Sequence, residues 1–312
     1  TTGWDPSYDG SLHPFRVMNL VRDALGVVFA FGHRDVAAVV GHDFGAIVAP
    51  WCALARPDVF RSVVMMSAPF AGPPAIPFDT VDRPAPVADD PVHRDLAALP
   101  RPRKHYQWYY STREADADMR HAPQGLHAFL RAYYHHKSAD WTANAPHPLQ
   151  GWTATELAKL PTYYVMERDQ TMAQTVAQEM PAREAIAANR WLPDHELKVY
   201  SDEYARTGFQ GGLQWYRCGT EGVNTPDFEI FSGRRIAVPA CFIAGGQDWG
   251  IYQRPGAIEA MRPTACADMR GCHLIDGAGH WVQQERPDEV NRLLLRFLED
   301  RAAAAPDRVI AS

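Results

Sequence analysis

The sequence predicts an α/β protein with a mostly parallel sheet and an inserted helical segment. Three observations carry this. Apolar, β-branched runs lie near both ends of the chain, and each leads through a glycine-containing turn towards helix-forming residues. After Pro69 a proline-rich stretch breaks that alternation. Residues 103–230 are then aromatic-rich with helical spacing, before strand-like composition returns at Arg234. Strands alternating with helices pack as a parallel sheet with helical crossovers, and the interruption reads as an insertion.

Residues 14–31 read as a helix, because Val17, Leu20, Val21, Ala24, Leu25 and Val28 recur at helical spacing. Val36 to Val40 reads as a strand and runs into Gly41-His42-Asp43-Phe44-Gly45, after which residues 46–56 read as a helix. A strand at 61–66 completes a β-α-β unit and continues into Ser67-Ala68-Pro69-Phe70. Prolines at 73, 74, 77, 84, 86, 91 and 100 exclude continuous helix or central strand between Pro69 and Pro102. Helical stretches follow, one of them Thr171–Ala188 with an interruption at Pro181. The chain returns to the sheet at 238–245, adds a short strand at 272–276, and closes with a helix at 286–302. The expected division is a first core part at 1–70, a helical lid at 71–235, a second core part at 236–302 and a tail at 303–312.

The turn around Asp43 carries the most chemistry. A small-x-acid-x-small sequence between a strand and a helix is the setting of a nucleophile elbow, whose central side chain stands above the sheet. Crowding of that turn gives Gly41 and Gly45 a steric reason. The bland alternative is an ordinary strand-to-helix turn with Asp43 as an N-cap. A carboxylate in the nucleophile position needs no deprotonation. It can attack an sp3 carbon bearing a leaving group and form an alkyl ester. Water must then cleave that ester, so a histidine base and an acid to orient it are expected further on. Asp248 follows the 238–245 strand and His280 follows the 272–276 strand. Ligand sites of open α/β sheets lie at such strand ends. Nucleophile, acid, histidine is also the chain order of the α/β-hydrolase fold. No acid follows the strand at 61–66, which removes the other common place for it. His42 is read as a packing residue of the turn.

The chain resembles the α/β-hydrolase-fold epoxide hydrolases through most of residues 11–300. The resemblance rests on Gly41-His42-Asp43-Phe44-Gly45, Ser67-Ala68-Pro69-Phe70 and Gly279-His280-Trp281, and on two segments between them. Tyr106-Gln107-Trp108-Tyr109-Tyr110 is similar to a family segment whose first tyrosine binds the epoxide oxygen. The longer Gly208-Phe209-Gln210-Gly211-Gly212-Leu213-Gln214-Trp215-Tyr216-Arg217 is similar to a segment whose tyrosine is the second proton donor. The resemblance thus implies Tyr106 and Tyr216 as the electrophilic pair and the Phe44 N–H as an oxyanion donor. It also implies Phe70, Trp108, Trp215 and Trp281 as pocket residues. Phenols suit the task, since an opening ether leaves an alkoxide and a tyrosine stays protonated near neutrality. Among 12 tyrosines and 9 tryptophans, mere packing of the lid is the competing account.

The implied reaction converts a small apolar epoxide to a vicinal diol, with no cofactor and no metal. Dehalogenation by the same triad is the first alternative. Phe44 lacks the side-chain N–H that haloalkane dehalogenases place there, and no arginine cluster marks a haloacid site. An inactive hydrolase-fold fragment is the second alternative. Only 35 residues precede the elbow strand, where the family has four further strands and a segment with a second oxyanion donor. A homo-oligomer, or an N-terminal segment from another chain, would supply what the first 34 residues do not; otherwise the strand at 36–40 is an unpaired edge.

Composition narrows the partners. A net charge of −6 and no Lys/Arg run leave no electrostatic case for nucleic acid. No apolar run reaches membrane-span length, and the N-terminus shows no signal-peptide zones. Five cysteines without metal-ligand spacing read as reduced, and the expected location is cytoplasmic. The 13 histidines include no His-x-x-x-His pair with a nearby acid, so they give no metal site.

Overall fold

The apolar runs Val63–Met66 and Ala240–Gly245 have no polar side chain to present to water, and both become strands buried along their whole length. In a computed structural model of the chain, which describes residues 10–76 and 91–303, they form the middle of a four-stranded parallel sheet. Its strands are β1 (Val39–His42), β2 (Val63–Met66), β5 (Ala240–Gly245) and β6 (Met269–Ile275), in the order β1-β2-β5-β6. The period of two along β2 decides which helices cover which face. Val63 and Met65 pack with α1 (Val17–Ala30) and α2 (Gly45–Ala55), whereas Val64 and Met66 pack with Val290, Leu293 and Phe297 of the C-terminal helix Pro287–Ala303. Elbow, acid and histidine turns therefore all leave the sheet at one end, because parallel strands end on the same side.

Three sequence expectations shift. The elbow strand starts at Val39 rather than Val36, which makes only an isolated bridge to Phe60. The Ser62 hydroxyl donates to Ala37 O at 2.7 Å and takes the place of a ladder bond there. β6 begins at Met269, earlier than 272, because it follows β5 through a register shift at Ala240/Cys241. A seven-residue helix, Pro91–Ala97, occupies part of the proline-rich stretch. Proline is tolerated in a first helical turn, where its missing N–H costs nothing. Pro77, Pro84, Pro86, the first nine residues and most of the tail lie outside the described residues.

A second apolar cluster, drawn almost wholly from residues 92–213, sits over the end of the sheet. Leu96, Phe129, Leu130, Leu157, Tyr164, Met166, Met172, Leu192 and Leu197 are among its fully buried members. Short helices surround an unforeseen two-stranded antiparallel sheet of β3 (Arg103–His105) and β4 (Val165–Glu167). Among the described residues β1 pairs on one side only, with β2, and Val40 is 45% exposed.

Candidate active site

At the end of β1 the backbone must reverse within two residues, and Asp43 does so with φ at +52°. A non-glycine residue pays for that conformation, and the surroundings hold it there. Asp43 N donates to Met66 O at 3.0 Å, and Ala46 N donates to Asp43 O at 3.0 Å. A Cβ at Gly41 would lie 2.0 Å from Gly45 O, so only glycine fits at that position. Gly45 is different: a Cβ there meets nothing, which corrects the expectation that both glycines are sterically required. α2 then begins with its N-terminus under the site, and no hydrogen bond from the Phe44 N–H occurs among the described residues. A free amide at a helix N-terminus is a donor for developing negative charge.

Asp248 and His280 come in from the β5 and β6 ends. The His280 Nδ1 lies 3.2 Å from both Asp248 carboxylate oxygens. A carboxylate only accepts, so Nδ1 carries the proton and Nε2 is the basic nitrogen. That Nε2 has no hydrogen-bond partner and lies 3.7 Å from Asp43 Oδ1. The side chains of His280 and Asp248 are each 1% exposed, while that of Asp43 is 41% exposed. His280 and Asp248 are thus sealed, whereas the Asp43 carboxylate is accessible. Close packing makes this possible: a Cβ at Gly250 would meet Asp248 Oδ1 and Ser67 O, both at 2.8 Å. Gly250 N instead donates to Asp248 Oδ1 at 2.7 Å.

Charge follows the geometry. Burial works against ionisation of Asp43, but the adjoining His280, followed by Lys137 and His42, outweighs it and holds the carboxyl well below the usual carboxylate range. Burial and Lys137 work against the imidazolium of His280, and the two aspartates overcome both, so its pKa is raised.

Sequence reasoning missed four residues that hold His280. His42, read as packing, donates from Nε2 to His280 O at 2.7 Å; burial and then His280 lower its own pKa. Ser67 Oγ donates to the same carbonyl at 3.0 Å. His280 N donates to Lys137 O at 2.9 Å. Glu285, 7% exposed, accepts from Gly279 N, Trp281 N and Ala139 N at 2.9, 3.0 and 2.8 Å. Glu285 stands shortly after His280 in the chain, but its burial is not readable from sequence.

The two tyrosines meet over the elbow. Phe44 stacks on Trp215 at 4.3 Å and meets the edge of Tyr216, whose ring lies 5.7 Å from that of Tyr106. The Tyr106 hydroxyl donates to Gln253 Oε1 at 3.1 Å and accepts from Gln107 Nε2 at 3.3 Å. Burial first, and then the Asp43 charge, push the Tyr106 pKa up; burial, Tyr106 and Asp43 do the same to Tyr216. Both phenols therefore remain donors. Trp281 lies 4.8 Å from the His280 ring and stacks on Tyr134. Phe70 instead packs against Trp51 in the apolar core, and Trp108 against His93 and His105. Neither makes a ring contact with His280 or the tyrosine pair among the described residues, whereas Trp215 and Trp281 do lie against Phe44 and His280.

Comparison with known proteins places the chain among similar sequences and folds. Residues 28–148 match the family described as "Putative esterase". Over 295 residues the chain is 32% identical to epoxide hydrolase B of Mycobacterium tuberculosis (strain ATCC 25618 / H37Rv), covering 91% of this chain and 77% of that protein. It is 26% identical to an epoxide hydrolase of Caballeronia sordidicola, with 93% of this chain and 74% of that one covered. Among solved structures, an epoxide hydrolase from an endophytic Streptomyces superposes with a TM-score of 0.71 at 25% identity, covering 97% and 79% of the two chains. Epoxide hydrolase A from Mycobacterium thermoresistibile gives 0.65 at 28% identity, covering 94% and 78%.

Proposed function

The chain belongs to the α/β-hydrolase epoxide hydrolases and acts on epoxides, and we propose that it does so through a covalent ester on Asp43. The observation that carries this is the unpartnered His280 Nε2, 3.7 Å from Asp43 Oδ1 and backed by Asp248. One Asp43 oxygen attacks an epoxide carbon, the C–O bond breaks, and the alkoxide takes a proton from Tyr106 or Tyr216. Water then approaches His280 Nε2, which removes its proton while the oxygen adds to the ester carbonyl. The Phe44 N–H holds the oxyanion. Collapse of the adduct expels the diol with one former Asp43 oxygen, which takes the proton from the His280 imidazolium; the new carboxyl keeps a water oxygen and returns its proton to the tyrosinate.

Residues 71–235 are proposed as the lid, supported by an apolar cluster separate from those of the sheet. The substrate proposed is a small apolar epoxide, supported by the aromatic rings over Asp43. Five cysteines without a disulfide suit a reducing, cytoplasmic setting. No helix among the described residues is long and apolar enough to cross a membrane. The open edge of β1 is where a strand from a second copy or another segment would pair.

A single turnover in heavy-oxygen water tests the route. The expected result is label in the Asp43 carboxylate and none in the first diol formed. Label delivered directly to the diol, with Asp43 unlabelled, would overturn it.

A further inference from the structure

Lys137 is a buried cation that the reaction as described does not use. It follows the last turn of the helix Leu126–His136 and is 5% exposed. Its Nζ lies 5.4, 5.6, 5.2 and 5.5 Å from the ring centroids of Tyr133, Tyr163, Tyr164 and Trp281. Among the described residues no carboxylate comes within ion-pair distance of it. A lysine sealed in this way loses most of its hydration. Faces of several rings return part of that loss, and the Lys137 charge helps to hold the Asp43 carboxyl low. Its main chain is fixed to the base as well, through His280 N to Lys137 O. A Cβ at Gly279 would lie 2.7 Å from that oxygen, so the lysine and the histidine loop can only meet at a glycine.

Taking the Asp43 ester route as given, we propose that Lys137 is a positioning residue that keeps His280 a free base while the ester is hydrolysed. The groups facing the imidazole define the effect. Asp248 lies on Nδ1, Asp43 faces Nε2, and the neutral His42 ring is 5.1 Å away. Lys137 lies in the helical layer with its Nζ 5.5 Å from the Trp281 ring, itself 4.8 Å from the imidazole, and its charge opposes the imidazolium; Glu285 holds the amides on either side of His280. In the resting enzyme two carboxylates favour the imidazolium and Lys137 opposes it. Alkylation turns Asp43 into a neutral ester, and one of the two carboxylate charges disappears. Asp248 then stands against Lys137 alone, so the imidazolium becomes less favourable at the step that needs a neutral imidazole. The lysine forms no bond to the substrate; it acts through its charge.

Lys137→Met removes the charge and keeps an apolar stem among the rings. Replacing an unpaired buried ion in this way is expected to leave stability unchanged or higher. Single-turnover decay of the Asp43 ester, followed against pH, is the discriminating readout. The acid limb of that decay is expected to move up by about one pH unit in Lys137→Met, with the plateau at high pH retained. Lys137→Arg, which keeps the charge, is expected to leave the limb near that of the parent. A second test compares the two resting proteins: imidazole NMR is expected to show His280 titrating at higher pH in Lys137→Met than in the parent. An unmoved limb in Lys137→Met, or a His280 titration that is the same in Lys137→Met and the parent, overturns the role of Lys137 while the ester route stands. Absence of any Asp43 ester in either protein overturns the route and this role together.

Discussion

Tyr106 and Tyr216 reach the cleft from separate helices, Tyr106–Tyr110 and Gln210–Thr220, and each carries a phenol that burial keeps protonated. Removing one hydroxyl leaves the other to meet the alkoxide. Tyr106→Phe or Tyr216→Phe alone is therefore expected to slow ester formation by roughly ten- to a thousand-fold, as for loss of one transition-state donor. The double variant should be close to inactive in the pre-steady-state burst. Retention of most of the burst rate by the double variant would remove the tyrosines from the mechanism. At this scale the readable residues were those with a local signature. Asp43 sits between two glycines and Tyr216 inside a ten-residue pattern. His42 was not readable as a support of the base, because its partner carbonyl lies 238 positions along the chain. Lys137 carries no local mark of burial, since its cage draws rings from three separate stretches.

The strand–turn–helix element around Asp43 was readable as a unit, and its internal sterics now separate its two glycines. Gly41 faces Gly45 O, a backbone atom that cannot rotate away, whereas Gly45 faces open space. Gly41→Ala is expected to cost about 3 kcal/mol or more through overpacking of the turn. Gly45→Ala should stay within about 1 kcal/mol of the parent, with alanine the better helix former. Denaturant midpoints measure both, and equal stability of the two variants would contradict the turn geometry. The longer helices and central strands were legible because apolar periodicity persists over several turns or along a whole buried strand. β3 and β4 were not, since three residues each give no period to count. The Pro91–Ala97 helix was hidden by its own first residue, which reads as a breaker except in a first turn.

On the scale of the molecule, the sheet and the helical layer meet at the histidine loop. Glu285 accepts from Gly279 and Trp281 on the sheet side and from Ala139 on the other, and Trp281 Nε1 donates to Tyr134 O at 2.9 Å. His280 is thus held by both parts, with its Nε2 unpartnered beside Asp43. The central claim is that this nitrogen serves ester hydrolysis and is not needed for ester formation. His280→Gln tests it most directly, by incubation with an epoxide followed by mass measurement of the intact protein and its peptides. The expected result is a stable mass increase equal to one epoxide, located on the peptide that carries Asp43, in a protein that no longer releases diol. A folded His280→Gln protein that forms no adduct, or carries it on another residue, would contradict the claim.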